Sequence, residues 1–345
     1  MSVSYPPLPS DYRKSIAVKH AREWTSLFTP RIHALGEALC QLENAYFVDI
    51  WPFASAEQRQ SFVDMDLPRC TAMMFPEALD SRILVSMRLN TLFFLLDDAM
   101  DRMGSKEGQA FSDILEQRIL VERRYIPGKA WASILLNLVT EIEAMDAEKG
   151  KEVFDRIVEL CRAQATRSQS HENLAAYLSD RDVECGAKLS RSLAKWAMDV
   201  IIPDDERPWI EELERNFSAH CAIVNDLFSW DKETLESRDL AGKIGETVFN
   251  AVTVHSKELN VDVDEARFSL ANMVRELELI HCHLVANRIA SGKPIPSDVV
   301  RYVHCLEDIA AANESWSRVT SRYNVVGGKL QKPTEENIGF RKLCV

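Results

Sequence analysis

Glycine and proline are scarce in this chain, at 12 and 13 of 345 residues. Together the two usually make up roughly 12% of a globular protein. Their scarcity excludes collagen-like and Gly/Pro-rich low-complexity chains and favours long helices. No run of about 18 apolar residues is present, so no membrane-spanning helix is expected. No basic cluster occurs: Lys and Arg number 41 against 53 Asp and Glu, a formal charge of −12. That balance argues against a nucleic-acid partner. The eight cysteines, Cys40, Cys70, Cys161, Cys185, Cys221, Cys282, Cys305 and Cys344, form no C-x-x-C pair, so a zinc site is not expected. They stand in apolar surroundings, as reduced buried thiols do. Met1 to Ser10 lack a basic stretch followed by an apolar one, so no signal peptide is expected. The two-residue alternation of a sheet is missing. A helical, soluble, cytoplasmic protein remains, long enough for a sizeable core.

Apolar residues recur at helical spacing through most of the chain. Residues 1–11 read as a Pro-rich coil, with Pro6, Pro7 and Pro9. Helices are expected at about 12–28, from Pro30 to about 48, and at 56–65. Pro68 and Pro76 are expected to bracket an irregular stretch. A long apolar helix follows from Glu77 to Met103, with Gly104 as its stop, and 104–109 reads as a loop. Further helices are expected at about 111–125, 129–146, 149–178, 182–202, 207–236, 246–258, 263–291 and 296–322. The polar stretch Thr234–Gly245 reads as a mobile loop, and Val326-Gly327-Gly328 as the end of regular structure. No repeat or linker separates domains. The expected architecture is one all-α domain over 12–323, with a polar tail at 324–345 and a ligand site between core helices.

Two acidic stretches carry the chemistry. The first is Asp97-Asp98-Ala99-Met100-Asp101, directly after Leu92-Phe93-Phe94-Leu95-Leu96. Asp97 and Asp101 share a helix face, where like charges repel. A cation would offset that repulsion, and the partial negative charge of the helix end adds to its attraction. The second runs from Asn225-Asp226 through Ser229 to Glu233. Residues four apart on a helix drift only about 40°, so Asn225, Ser229 and Glu233 line one face. Amide oxygen, hydroxyl and carboxylate are hard ligands of the kind Mg²⁺ takes. Lys232 sets a cation beside them, which suits an anionic ligand. Taken singly, each feature has a plainer reading. Asp97 and Asp101 suit a solvated surface, and a mid-helix Ser229 can bond back to a carbonyl.

With these motifs in hand, the chain resembles the class I terpene synthases, fungal sesquiterpene cyclases most of all. That family carries DDxxD and NDxxSxxxE motifs, and both stand here without departure. The resemblance extends to Arg181, 44 residues before Asn225, which matches the family's diphosphate-sensing Arg. It extends also to Arg322-Tyr323, which matches the Arg-Tyr pair closing the last core helix, and to Trp316 at a pocket-lining position. The likeness spans about Phe94 to Tyr323. Glu184 fits the family's linker acid three residues after the sensor, but the family's helix-breaking effector position one residue later is Cys185, with Gly186 one place on. Taken alone, Arg181 between Asp180 and Asp182 reads as a surface ion pair, Arg322-Tyr323 as a helix end, and Phe94 and Trp316 as core.

The resemblance implies Mg²⁺-dependent ionisation of an allylic diphosphate, expected to be farnesyl diphosphate, and cyclisation of the cation to a sesquiterpene hydrocarbon or alcohol. It implies three Mg²⁺ ions. Asp97 and Asp98, assisted by Asp101, would hold two, and Asn225, Ser229 and Glu233 the third. Arg181, Lys232, Arg322 and Tyr323 would donate to the diphosphate, with Arg giving the two-pronged contacts Lys cannot. Phe93, Phe94, Glu184, Cys185, Gly186 and Trp316 would line the pocket, where aromatic faces stabilise a passing cation. The 234–245 stretch would act as a lid. A monomer or homodimer is expected. Two rivals stay open: a prenyl chain-elongating enzyme, which would carry a second Asp-rich motif in place of Asn225, Ser229 and Glu233, and a non-catalytic helical binding protein.

Overall fold

The computed structural model describes residues 26–166, 171–240, 248–326 and 329–331. The expected coil at 1–11, most of the expected helix at 12–28, and most of the tail lie outside the described residues. The chain divides into two compact units. One is Arg31–Ser168 with Val183–Val200, and the other is Met1–Pro30, Gln169–Asp182 and Ile201–Val345.

The Arg31–Ser168 unit opens with α1 (Gly36–Ile50), α2 (Ala56–Met65) and α3 (Leu67–Met74). Ser55 caps α2 by accepting from the Gln58 N–H at 3.2 Å. Between Pro68 and Pro76 the chain is helical and not irregular. Pro68 sits in the first turn of α3, where a missing N–H costs nothing and the fixed φ suits the helix. The long apolar helix is α4 (Asp80–Met100), which buries Ile83, Met87, Leu89, Leu92 and Leu96. Its start is tied down at the Leu79 N–H, which donates to the Ala197 carbonyl, and at Arg82, which donates to the Trp196 carbonyl.

Gly104 does not stop that helix. It is the extended residue that heads α5 (Ser105–Ile114), so the expected 104–109 loop is helix from Ser105 on. Glycine serves at a helix N-cap as well as past a C-terminus, and spacing alone cannot separate the two. A π-helical run, Leu115–Val121, follows. The long α6 (Ala130–Ala165) breaks at Asp146, whose φ of −166° and ψ of 96° lie outside the helix. The Asp146 carboxylate accepts from the Lys149 N–H at 3.0 Å and so caps the second half, which bears out the expected break near 146–149. The unit ends in α8 (Ala187–Met198).

The other unit holds most of α7 (Leu174–Glu184), then α9 (Arg207–Leu240), α10 (Ala251–Leu259), α11 (Val263–Ala290) and α12 (Ser297–Val319). α9 packs on α10, α11 and α12, burying Leu213, Phe217, Ile223, Val224, Leu227 and Phe228. The buried side of α9 also carries polarity into the core. His220 lies 3.2 Å from Glu278, which also takes Arg275 at 2.7 Å, Ser26 Oγ at 2.7 Å and the Leu27 N–H at 2.7 Å. Arg275 also pairs with Glu314. Buried charges persist only when so paired. α9 continues to Leu240, so the first half of the expected 234–245 loop is helix, and 241–247 lie outside the described residues. Regular structure does not end at Val326: Val325–Val326 pairs antiparallel with Lys329–Leu330 in a minimal hairpin. Apart from that hairpin the described chain is helical, as expected. Among the described residues the cysteines form no disulfide, and no helix is long and apolar enough to cross a membrane.

Glu307 on α12 gives a pH test of this packing. Burial pushes its carboxyl pKa up, but hydrogen bonds from His281 and His304, both at 3.1 Å, outweigh that and hold it at about 2. A depressed carboxylate contributes stability above its unfolded value, here 4.5, and loses it as pH falls towards 2. Glu307→Gln should therefore lose less stability than wild type between pH 4.5 and 2. The difference should be roughly 2–3 kcal/mol, since each pH unit separating the folded and unfolded values is worth about 1.4 kcal/mol. Urea midpoints across that window check this, and parallel curves would contradict it.

Candidate active site

The first acidic stretch is the last turn of α4. The Asp101 N–H donates to the Asp97 carbonyl at 2.9 Å, so the helical register carries the two side chains onto one face. Asp97 and Asp98 are half-buried and Asp101 is exposed, and one ligand oxygen of each lies within 4.8 Å of the others. Gln164 of α6 donates to Asp97 Oδ1 at 2.6 Å. An amide here fixes the carboxylate without neutralising it. One turn back, Phe93 is buried and Phe94 half-buried. Burial, with Asp97 nearby, pushes the Cys161 thiol up to about 12, so that thiol stays protonated and inert.

The second stretch lies in the middle of α9, in the other unit. Asp226 is 1% exposed and is met from three sides. Tyr177 Oη donates at 2.5 Å, Arg181 Nη2 at 2.6 Å and the Ala251 N–H at 2.9 Å. The i, i+4 spacing of Tyr177 and Arg181 on α7 aims both at this one carboxylate. Burial and the Asp226 charge raise the Tyr177 phenol well above its ordinary value, so it remains a donor. Arg181 also donates to Asn225 Oδ1 at 3.1 Å, and Asn225 Nδ2 donates to Tyr323 Oη at 3.0 Å. The adjacent Asn225 thus has both ends of its amide fixed.

One turn on, Ser229 Oγ donates to Glu233 Oε1 at 2.6 Å, and Asn250 Nδ2 donates to Glu233 Oε2 at 3.0 Å. Burial, then the Asp226 charge, raise the Glu233 carboxyl, while the Ser229 and Asn250 hydrogen bonds pull it back. Lys232 is buried, with Nζ 3.8 Å from Glu236. Arg322 and Tyr323 are buried just past α12. The Arg322 guanidinium lies 5.6 Å from the Tyr323 ring centre, and Trp316 meets that ring edge-on at 5.6 Å.

The sequence-predicted residues Asn225, Ser229, Glu233, Arg181 and Tyr323 are therefore brought together by hydrogen bonds, directly or through Asp226 and Asn250, and Trp316 joins through Tyr323. Glu184, Cys185 and Gly186 stand where α7 ends and α8 begins. Gly186 has φ +75°, a left-handed conformation that glycine adopts at no steric cost, so the helix break falls on Cys185-Gly186. Three residues were missed. Tyr177 had a signal, one turn ahead of Arg181. Asn250 and Gln164 lie 17 and 67 residues from Glu233 and Asp97, beyond any local periodicity.

The donor sets fit a hard divalent cation: three carboxylates clustered at a helix C-terminus, and an amide, a hydroxyl and a carboxylate along a helix flank. The family model described as terpene synthase family 2, C-terminal metal binding, matches residues 88–278. Aristolochene synthase of Aspergillus terreus is 32% identical over 87% of this chain and 94% of its own length. Aristolochene synthase of Penicillium roqueforti is 32% identical over 88% of this chain and 87% of its own. The crystal structure of the P. roqueforti aristolochene synthase superposes with a TM-score of 0.75 at 28% identity, covering 86% of this chain and 99% of that one.

Removing the phenol that meets Asp226 should weaken the fold around the second stretch. Tyr177→Phe should cost about 1.5–3 kcal/mol, the worth of a hydrogen bond to a charged group, in urea denaturation at neutral pH. A loss below about 0.5 kcal/mol, the scatter of ordinary surface changes, would show that Asp226 does not depend on it.

Proposed function

The chain belongs to the terpene synthase family and is a terpene cyclase that uses a divalent metal, and from that premise we propose how its residues divide the work on farnesyl diphosphate. The carbon skeleton of the product is a C15 hydrocarbon or alcohol. The relatives named aristolochene synthase support the C15 substrate; we carry over the substrate and not their particular product.

The observation that carries this reading is the helix flank of α9, where Asn225, Ser229 and Glu233 present three hard oxygens in one row. We assign one Mg²⁺ to that row and two to Asp97 and Asp98, with Asp101 assisting. When bound, Mg²⁺ neutralises charge building on the departing diphosphate oxygens. The chain's own groups do the rest. Arg181, Lys232, Arg322 and Tyr323 donate hydrogen bonds that orient the diphosphate as the allylic C–O bond breaks. Arg181 keeps Asp226 through Nη2 while the other N–H groups of its fork serve the phosphate oxygens. The Ser229 and Asn250 hydrogen bonds favour the charged form of Glu233 against the burial and the Asp226 charge that raise its carboxyl. Phe93, Phe94 and Trp316 supply apolar and aromatic surface to the cation and exclude water, with the Cys185-Gly186 break after Glu184 as a further wall. A chain-elongating enzyme would need an Asp-rich motif where Asn225, Ser229 and Glu233 stand.

Purified protein with farnesyl diphosphate and Mg²⁺ should yield C15 hydrocarbon or alcohol by gas chromatography, and none with a chelator. Asp97→Ala, and Asn225→Ala with Ser229→Ala, should each lower turnover by at least about a hundredfold with the fold intact by circular dichroism. Full activity in either variant would overturn the assignment. So would a C20 diphosphate made from C15 and C5 substrates without hydrocarbon.

A further inference from the structure

Asn250 is wholly buried, ahead of α10, and uses both ends of its carboxamide. The Oδ1 end accepts from the Val252 N–H at 2.9 Å and caps the helix. The Nδ2 end lies 3.0 Å from Glu233 Oε2, 3.0 Å from the Asp226 carbonyl and 3.5 Å from Ser229 Oγ. Capping explains only the acceptor, because Ser, Thr and Asp cap as well as Asn. The NH₂ end needs another reason. It carries two hydrogens, and the two short contacts use both. One goes to the α9 backbone, fixing the amide against the helix. The other goes to the Glu233 carboxylate.

A guanidinium or ammonium in that place would grip the carboxylate more strongly, but it would neutralise the charge a cation needs. A neutral amide orients the oxygen and leaves the charge. Glu233 in turn accepts from Ser229 at 2.6 Å, so fixing one fixes the other. We propose that Asn250 is a positioning residue for the second metal-holding row, setting the Glu233 carboxylate and, through it, the Ser229 hydroxyl towards a divalent cation. The proposal rests on the reading of Asn225, Ser229 and Glu233 as that row. Asn250 is not itself one of the three oxygens of that row.

Asn250→Ser keeps a cap and loses the reach to Glu233, so it separates the two ends of the amide. The test is Mg²⁺ titration in the presence of inorganic diphosphate by calorimetry, on wild type, Asn250→Ser, Glu233→Gln and the double variant. Asn250→Ser should raise half-saturating Mg²⁺ by about 10–100-fold, the usual effect of losing a partner that orients a ligand. Without metal it should melt below wild type, because the contacts to Glu233 and the Asp226 carbonyl are lost, yet stay folded at the titration temperature by circular dichroism. In the Glu233→Gln background the same change should add less than about twofold, since residues acting through one contact are not additive. Two results overturn the inference: a shift of twofold or less in Asn250→Ser, or an equal shift in both backgrounds. If Asn250→Ser does not fold, Asn250→Thr replaces it. Failure of both to fold assigns Asn250 to the architecture alone and also overturns the inference. Wild type that binds no Mg²⁺ with diphosphate would overturn the proposed function and this inference together. Normal wild-type binding beside an unshifted variant overturns this inference only.

Discussion

Asp226 is the fixed point of its unit. A carboxylate at 1% exposure has no water to solvate it, and an unpaired one would cost several kcal/mol. It is satisfied by Tyr177 and Arg181 from α7 and by the first N–H of α10. One side chain thus joins three helices. Because it stands next to Asn225 and one turn before Ser229, fixing Asp226 also fixes the rotation of α9. The row of oxygens from Asn225 to Glu233 is aimed by a neighbour that is not part of the row.

The two acidic stretches supply their oxygens in different ways. At the end of α4, three carboxylates crowd within 4.8 Å, a repulsion that a cation would relieve. On α9 only one of the three oxygens is a carboxylate, and it is half-buried. A second or third anion there would raise the desolvation cost steeply. The amide and hydroxyl offer hard oxygens without it. In both places a neutral carboxamide, Gln164 or Asn250, holds the carboxylate. Orientation is provided and charge is kept.

Much of this was legible in the chain. The all-helical class followed from apolar spacing and scarce glycine, and both motifs followed from four-residue steps that survive any error in helix boundaries. Other features were misread for physical reasons. Pro68 reads as a breaker but is harmless in a first turn. Gly104 reads as a stop but heads the next helix. The polar run from Thr234 reads as a loop, yet α9 carries it as helix to Leu240. Asn250 was illegible because its partners come from a different helix. The chain fold that joins them leaves no trace in local pattern.

The central claim is the proposal that Asn225, Ser229 and Glu233 hold one metal ion and that Asp97 and Asp98 hold two. Crystals grown with Mn²⁺ and inorganic diphosphate test it most directly, because anomalous scattering locates each ion. The account predicts three ions per chain, one coordinated by Asn225, Ser229 and Glu233 and two by Asp97 and Asp98. Ions bound elsewhere, or a Glu233 carboxylate still bonded only to Ser229 and Asn250 with diphosphate present, would contradict it.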